Sequence, residues 1–280
     1  MTHSDARWEG RTAEEWRAQL AAPAVRVASA TTSTNDVARD WAEAGAPAGA
    51  FVIADTQSAG RGRSGRHWWS PPGVSLHASW VVRPPVPARG SADLGLLALR
   101  VGLALAEALE EAYGVATLLK WPNDILGNSG RKLAGILCES ALTRTAPAHV
   151  VVGVGLNLRR PAGPPPGLRG TAGSVAGELG RDVERSRILG PLCARMLVLA
   201  AAPTDPLRAG ELARWRARDA LAGRRVQVDG RDAGRALGID ASGALLVEDG
   251  ARASRVYSGT VRACEAMAGR PWDATGEETR

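Results

Sequence analysis

One segment limits the fold more than any other: an apolar strand pattern, AFVIADT at residues 50–56, runs directly into a glycine- and arginine-rich loop at 57–73. Gly60, Gly62 and Gly65 have the G-x-G-x-x-G spacing of a dinucleotide-binding turn, which must be followed by a helix that meets the pyrophosphate. Here the sequence Arg-His-Trp-Trp-Ser-Pro-Pro-Gly follows, and it cannot begin a regular helix. The segment therefore argues against a dinucleotide-binding fold.

The arginines of this loop indicate an anionic ligand. Arg61, Arg63 and Arg66 stand among glycines, which let a backbone approach a ligand closely. Arginine binds phosphate or carboxylate oxygens through two parallel hydrogen bonds. A solvated basic loop would have the same composition, but Gln57 before it and Trp68 after it favour a lid that closes over a bound molecule.

Strand and helix patterns alternate along most of the chain. We predict strands at 25–30, 50–56, 74–82, 117–121 and 149–158, a hairpin at 125–140 with its turn at 128–130, and helices at 31–45, 92–113, 171–179, 185–201 and 206–221. After Gly223, short alternating segments separated by D-G and S-G turns are typical of a small β-barrel. The expected fold is α/β (α+β), with an N-terminal extension (1–24) without a helix-turn-helix, a main domain of mixed sheet and helices (25–222), a barrel (223–268) and a polar tail (269–280).

The composition limits the class of protein. Hydrophobic residues make up 45%, and no apolar run approaches the roughly 20 residues of a membrane helix. The charged N-terminus lacks the apolar core of a signal peptide, and three separated cysteines fit neither a disulfide framework nor a zinc site, so we expect a cytoplasmic protein. The net charge of +6 would suit a nucleic-acid partner, but the even spread of the arginines favours a compositional bias.

Lysine is rare in this chain: of 35 basic residues, only Lys120 and Lys132 are lysines. A compact ammonium and a planar guanidinium are not interchangeable in a tight site. In a chain that otherwise uses arginine, a lysine therefore indicates a position where a guanidinium group could not replace the ammonium group.

Both lysines lie in KWPNDILGNSGRKLAGI, residues 120–136. Asn123 and Asp124 follow a proline at a strand end, where Asp124 can help to hold a magnesium ion bound to a polyphosphate. An ordinary Asn-Asp turn explains these two residues equally well. Lys132 comes just after the hairpin turn and before apolar residues, so we expect its ammonium to point into a cleft.

Two further segments bring small and polar residues to element ends. In GVGLN (153–157) the glycines leave room for a ligand and Asn157 can meet phosphate or metal, although a tight strand crossing would need glycine too. In TTSTN, Ser33, Thr34 and Asn35 can cap the next helix, bind a small polar ligand, or do both. The sequence has neither a P-loop nor a nucleophile elbow, so we expect catalysis by charge stabilisation and orientation.

Together, S-T-N (33–35), Q-S-A-G-R-G-R-S-G-R-H-W (57–68), K-W-P-N-D (120–124), R-K-L-A-G-I-L (131–137) and G-V-G-L-N (153–157) closely resemble biotin–protein ligases, in that family's order and spacing. The resemblance covers about residues 25–265. It implies the family's catalytic domain, a class II aminoacyl-synthetase-like fold shared with lipoate ligases, followed by an SH3-like barrel.

The resemblance also implies ligand contacts residue by residue. Biotin would be held by Ser33, Thr34, Asn35, Gln57, Gly60, Arg61, Gly62, Arg63, Lys132, Gly135 and Gly155. ATP would be held by Arg63, Arg66, Trp68, Asn123, Lys132 and Asn157, and a triphosphate-bound Mg²⁺ by Asp124. Lys132, Arg63 and Arg66 would be the catalytic residues.

The implied reaction uses ATP and Mg²⁺ to convert biotin to biotinyl-5′-AMP and transfers it to a lysine of a biotin carboxyl carrier protein, the biotin domain of an acyl-CoA carboxylase. We expect no winged-helix domain and no operator binding, no membrane partner, and a monomer or weak homodimer. In the C-terminal segment Thr260 stands where the family has an acidic residue, and Arg262 stands early for the family's nucleotide-contacting arginine. The alternatives are a lipoate or octanoate ligase or transferase on the same fold, and a basic nucleic-acid-binding protein.

Overall fold

A seven-stranded mixed sheet forms the centre of the computed structural model, which describes residues 6–84, 91–141, 149–163, 165–168, 170–200, 205–250 and 252–264. Its strand order is β1-β2-β3-β7-β6-β5-β4; β1 and β2 are parallel and the other pairs antiparallel. The predicted mixed sheet and the 125–140 hairpin are thereby confirmed. The strands are β1 (Val25–Thr31), β2 (Phe51–Gln57), β3 (Ser75–Val82), β4 (Thr117–Lys120), β5 (Asp124–Gly127), β6 (Lys132–Ala141) and β7 (His149–Asn157).

Helices cover both faces of this sheet. On one face, Ala38 of α2 packs against Val52 and Val151. On the other, the apolar residues of β3 join the long helix α3 and helix α5 in the main hydrophobic core. The helices are α1 (Ala13–Gln19), α2 (Thr34–Glu43), α3 (Ser91–Tyr113), α4 (Val175–Leu179), α5 (Leu189–Leu199) and α6 (Ala209–Ala217).

Three predicted helices are shorter than the sequence pattern indicated. The segment expected as helix 171–179 is helical only from Val175, because residues 171–173 run beside Lys132 and exchange backbone hydrogen bonds with it. Ser174 then caps α4 by accepting a hydrogen bond from the backbone N–H of Gly177 at 3.1 Å. The segment 185–201 begins with a 3-10 turn before α5, and 206–221 is helical only over α6.

A second, antiparallel sheet of five strands follows in the order β11-β10-β9-β8-β12, as the turn pattern after Gly223 predicted. Trp121 joins it to the first sheet by donating from Nε1 to the carbonyl of Gly243 at 2.9 Å, and both sheets share one hydrophobic core. The boundaries at 24, 222 and 268 stay predictions, and the 269–280 tail lies outside the described residues. The strands are β8 (Arg225–Val228), β9 (Arg231–Ile239), β10 (Leu245–Asp249), β11 (Arg252–Val256) and β12 (Val261–Ala263).

None of the helices in the described part of the chain combines the length and the apolar character that a membrane span requires.

Candidate active site

A cavity of about 830 Å³ opens beside the glycine- and arginine-rich loop, and strands β5 to β7 and the N-terminus of α2 form its walls. Its volume is within the range of small-molecule sites, about 300–1,000 Å³. Fifteen of the sixteen predicted contact residues line it, namely Ser33, Thr34, Asn35, Gln57, Arg61, Gly62, Arg63, Arg66, Trp68, Asn123, Asp124, Lys132, Gly135, Gly155 and Asn157.

Gly60 is the exception: it does not line the cavity but supports the loop behind it. Its carbonyl accepts a hydrogen bond from the backbone N–H of Trp68 at 2.8 Å. A Cβ at this position would lie 3.0 Å from Nε2 of Gln57 and 3.0 Å from the carbonyl oxygen of Trp68. The loop reverses at Ser64 and Gly65, both at positive φ. The glycines therefore make a tight return that brings Trp68 back over the sheet.

The ring of Trp68 packs against the part of the sheet that carries the predicted pocket glycines. A Cβ at Gly155 would lie 2.6 Å from Cε2 of its ring, and a Cβ at Gly135 would lie 3.2 Å from Cζ3. Nζ of Lys132 stands 5.5 Å from the ring centroid, within cation–π range. The two glycines thus create a slot whose depth depends on the absence of side chains.

The S-T-N segment begins α2, but not by the side-chain capping that its sequence allowed. Ser33 occupies the N-cap position and makes no side-chain capping bond, so that part of the expectation is wrong. Thr34 instead donates its backbone N–H to Oε1 of Gln57 at 2.8 Å. Asn35 reaches across β7, where a Cβ at Gly153 would overlap its side chain. These polar groups are directed into the site.

Donors and acceptors can be assigned along this network from its carboxylate end. Nδ2 of Asn35 donates to Oε2 of Glu139 at 2.6 Å, so its Oδ1 must accept from Oγ of Ser79, also at 2.6 Å. Ser79 then has no hydroxyl proton left for Thr34, and the single hydroxyl proton of Thr34 has two acceptors within reach: Oγ of Ser79 at 2.7 Å and Oε1 of Gln57 at 3.1 Å. In both arrangements Oγ1 of Thr34 keeps a lone pair that can accept an N–H group of a ligand, and Oε1 of Gln57 keeps one when the Thr34 proton is directed to Ser79.

Arg61 adds a hydrogen-bond donor near Thr34 and Gln57, and because it is paired with carboxylates it contributes little net charge to the cavity. Asp36 accepts two hydrogen bonds from its guanidinium, both at 2.7 Å, and Glu139 lies 3.6 Å away. Hydrogen bonding from Arg61 lowers the pKa of Asp36 to about 2, so this carboxylate is ionised near neutral pH. The end of the cavity formed by Thr34, Gln57 and Arg61, called here the neutral end, offers both donors and acceptors.

The opposite end, called here the cationic end, gathers Lys120, Lys132, Arg63 and Arg66 around one carboxylate, Asp124. Nζ of Lys132 lies 2.5 Å from Oδ1 of Asp124.

Asn123 connects this cluster to the sheet. Its Nδ2 donates to the carbonyl of Ile136 at 2.7 Å, and its Oδ1 accepts from Arg63 at 3.4 Å.

Burial lowers the pKa of two of these cations. Lys120 is affected mainly by desolvation; Asp124 acts in the opposite sense, whereas Lys132, Arg66 and Arg262 of β12 lower its pKa further. Desolvation also lowers the pKa of Arg63. Because charges removed from water are stabilised by an opposite charge, this end is suited to a polyanion.

Several residues of the site were not selected from the sequence. Lys120 lines the cavity. The scarcity of lysine, which pointed to Lys132, points equally to Lys120. Asp36 and Glu139 carried no motif, although each pairs with a predicted residue. Ser79 was hidden in a strand with an apolar pattern.

Among the described residues, no three histidine, cysteine, aspartate or glutamate side chains converge to hold a metal. Asp124 is a single carboxylate beside a lysine. This donor set fits Mg²⁺ only as an ion carried mainly by phosphates and water, which is the usual state of Mg²⁺ in nucleotide sites.

Comparisons with known proteins agree with this fold. The model of the Biotin/lipoate A/B protein ligase family matches residues 27–157. The biotin–[acetyl-CoA-carboxylase] ligase of Paracoccus denitrificans is 39% identical over 232 residues, covering 78% of this chain and 91% of the relative. That of Mycobacterium tuberculosis is 36% identical over 245 residues, covering 84% and 87%.

Among solved structures, the biotin protein ligase from Aquifex aeolicus in complex with biotin and ATP superposes with a TM-score of 0.71 and 25% identity, over 85% of this chain and 98% of that one. The family model and the fold place the chain among biotin/lipoate ligase-type proteins, and the similarity to biotin–[acetyl-CoA-carboxylase] ligases over 78–84% of the chain identifies which kind. The chain belongs to the biotin–protein ligase family.

Proposed function

We propose that this cavity joins biotin to AMP at the expense of ATP and then transfers the biotinyl group to a lysine of a biotin carboxyl carrier protein. The observation that carries the proposal is the polarity of the cavity. The neutral end has donors and acceptors in balance, and the cationic end has four cations around Asp124. A molecule with a cyclic urea at one end and a carboxylate directed toward a triphosphate at the other matches this arrangement.

At the neutral end, the ureido ring of biotin has two N–H donors and one carbonyl acceptor. With the hydroxyl proton of Thr34 directed to Ser79, Thr34 Oγ1 and Gln57 Oε1 each offer a lone pair to one of these N–H groups. Arg61 can donate to the carbonyl, and its pairing with Asp36 keeps the guanidinium from attracting a bulk anion. Ser33, Asn35 and Gly62 complete this wall, and Gly135 and Gly155 make the slot that holds the Trp68 ring beside the ligand.

At the cationic end, the biotin carboxylate oxygen attacks the α-phosphorus of ATP, forming the acyl–phosphate bond and releasing pyrophosphate. Two anions must approach each other, so Lys132, Arg63 and Arg66 offset their repulsion and stabilise the charge that develops. Asn123 and Asn157 hydrogen-bond phosphate oxygens, and Trp68 covers the adenylate. In the second step the carrier lysine amine attacks the acyl carbon and AMP leaves, so no nucleophile of the enzyme is consumed.

Asp124 would help to hold Mg²⁺ on the triphosphate, where the ion would supply charge neutralisation at the phosphates. Lys120 belongs to the same phosphate-facing set, and Arg262 of the second sheet stands close enough to Lys120 to lower its pKa. We further propose a cytoplasmic enzyme that acts as a monomer or weak homodimer on the carrier domain and does not bind DNA.

Biotin-dependent exchange of labelled pyrophosphate into ATP tests the first step. Lys132→Arg keeps the charge but replaces a compact ammonium with a wide fork, so the exchange rate is expected to fall by at least about 100-fold. Arg252→Lys, the opposite exchange at an exposed position of β11, is the matched control and should leave the rate unchanged. Lipoate-dependent exchange without biotin-dependent exchange would refute the proposal.

A further inference from the structure

A buried histidine on β3 has no place in the reaction described above. His77 is 1% exposed and stands between Ser75 and Ser79, which are also buried. These three residues alternate along the strand and share one face, while Leu76, Ala78 and Trp80 face the main core. Ser79 contacts Thr34 and Asn35, so this face of β3 lies directly behind the neutral end of the cavity.

His77 touches the neutral end through Gln57. Its Nδ1 lies 3.2 Å from Nε2 of Gln57. The other end of the same amide, Oε1, receives the backbone N–H of Thr34 at 2.8 Å. A backbone N–H can only donate, so the atom facing Thr34 must be the carbonyl oxygen and the atom facing His77 must be the amide nitrogen. It follows that Nδ1 accepts, and that the ring proton is on Nε2.

The surroundings of the ring keep Nδ1 unprotonated. Burial lowers the pKa of His77 to about 4; Asp55 of β2 raises it and Arg185 lowers it. Arg185, itself buried, is held 2.7 Å from Asp55 and donates from Nε to Glu9 at 2.8 Å. Nε2 of His77 is buried and has no hydrogen-bond partner among the described residues. This unpaired N–H is the energetic cost of keeping Nδ1 as the acceptor for Gln57.

We propose that His77 is a positioning residue: by accepting from Nε2 of Gln57, it fixes the amide with its carbonyl toward Thr34 and the ligand and prevents it from flipping. The inference rests on the proposed function, in which Gln57 contacts the ureido ring. A flipped amide would set Nε2 against the N–H of Thr34 and would present an N–H to the N–H groups of biotin. His77 thus determines which hydrogen-bonding group the neutral end offers, without touching the ligand.

Two variants with the same number and branching of side-chain heavy atoms separate this role from packing. In His77→Asn, Oδ1 takes the place of Nδ1 and can still accept from Gln57; in His77→Leu, a methyl group in that place cannot. Both variants remove the rest of the ring. We expect His77→Leu to bind biotin roughly tenfold more weakly than His77→Asn, because a buried amide loses its acceptor. The affinity for ATP should be the same in both.

The measurement is calorimetric titration of each full-length variant with biotin alone and with ATP alone. The wild-type affinity for biotin should be constant from pH 6 to pH 9, because His77 stays neutral throughout that range. In a Gln57→Leu background the difference between the two His77 variants should vanish.

Equal biotin affinities of His77→Asn and His77→Leu, or a difference that persists in the Gln57→Leu background, would overturn the positioning role. Failure of the wild type to bind biotin would instead overturn the proposed function. If His77→Leu does not fold, His77→Asn alone still decides. A positioning role requires the biotin affinity of His77→Asn to stay within a few-fold of that of the wild type.

Discussion

Replacement of Gly155 by alanine adds one methyl group to the floor of the cavity, and its effect can be worked out from the structure. The new Cβ would lie 2.6 Å from Cε2 and 2.9 Å from Cζ2 of Trp68. Carbon atoms in good contact are about 3.5–4.0 Å apart, so the ring must lift by about 1 Å. Overpacking of this kind costs about 1–3 kcal/mol, which corresponds to roughly 5- to 150-fold in a dissociation constant.

The loss should appear in ligand binding more than in folding. Trp68 ends the loop of residues 60–68 and lies in neither a helix nor a strand, so we expect it to shift more readily than β7. We therefore expect Gly155→Ala to weaken biotin binding in calorimetry within that range while its melting temperature changes by no more than about 3 °C. Gly210→Ala, at a helical position where a Cβ meets nothing within 4 Å, is the control. Biotin binding as tight as that of the wild type would refute the view that Gly155 and Trp68 form the slot.

Two further perturbations follow from buried charges. Burial raises the pKa of Asp219 from 3.8 to about 6, so the folded protein binds the carboxyl proton more tightly than the unfolded chain does. The side chain therefore destabilises the folded protein as the pH rises toward 6 and above. Relative to Asp219→Asn, the wild type should gain about 2 kcal/mol of stability as pH falls from 8 to 4.5, measured by urea unfolding at both values; a pH-independent difference would contradict it. Asp36→Asn removes the bidentate partner of Arg61, whose positive charge then attracts anions. We expect about tenfold weaker biotin binding and stronger inhibition of that binding by sulfate, with ATP affinity unchanged; unchanged biotin binding with no new sulfate sensitivity would show that Asp36 is dispensable.

Much of the framework follows from local sequence patterns. The strands on either side of the glycine- and arginine-rich loop, the hairpin and the barrel turns are all local features, and the structure confirms them. The motifs also come together, because they lie at strand and helix ends that border one cavity. Helix 171–179 was predicted too long because the first residues of that segment pair with Lys132, a partner distant in sequence.

The parts that could not be predicted depend on such distant pairs. Asn35 donates to Glu139 across 104 residues, and neither residue type reveals the other. His77 and Ser79 were overlooked because the strand that carries them is otherwise apolar. Their alternation was a usable signal, since buried polar residues at every second position must find partners on one face. Composition revealed the importance of the lysines, but only the structure placed Lys120 in the cavity.

The central claim is tested most directly by the mass of an apo carrier domain after incubation with the full-length chain, ATP, Mg²⁺ and an equimolar mixture of biotin and lipoate. A single added biotinyl group on the carrier lysine, dependent on ATP and lost with Lys132→Arg, is the predicted result. Addition of lipoyl instead of biotinyl, or no addition while the chain binds biotin, would contradict the account.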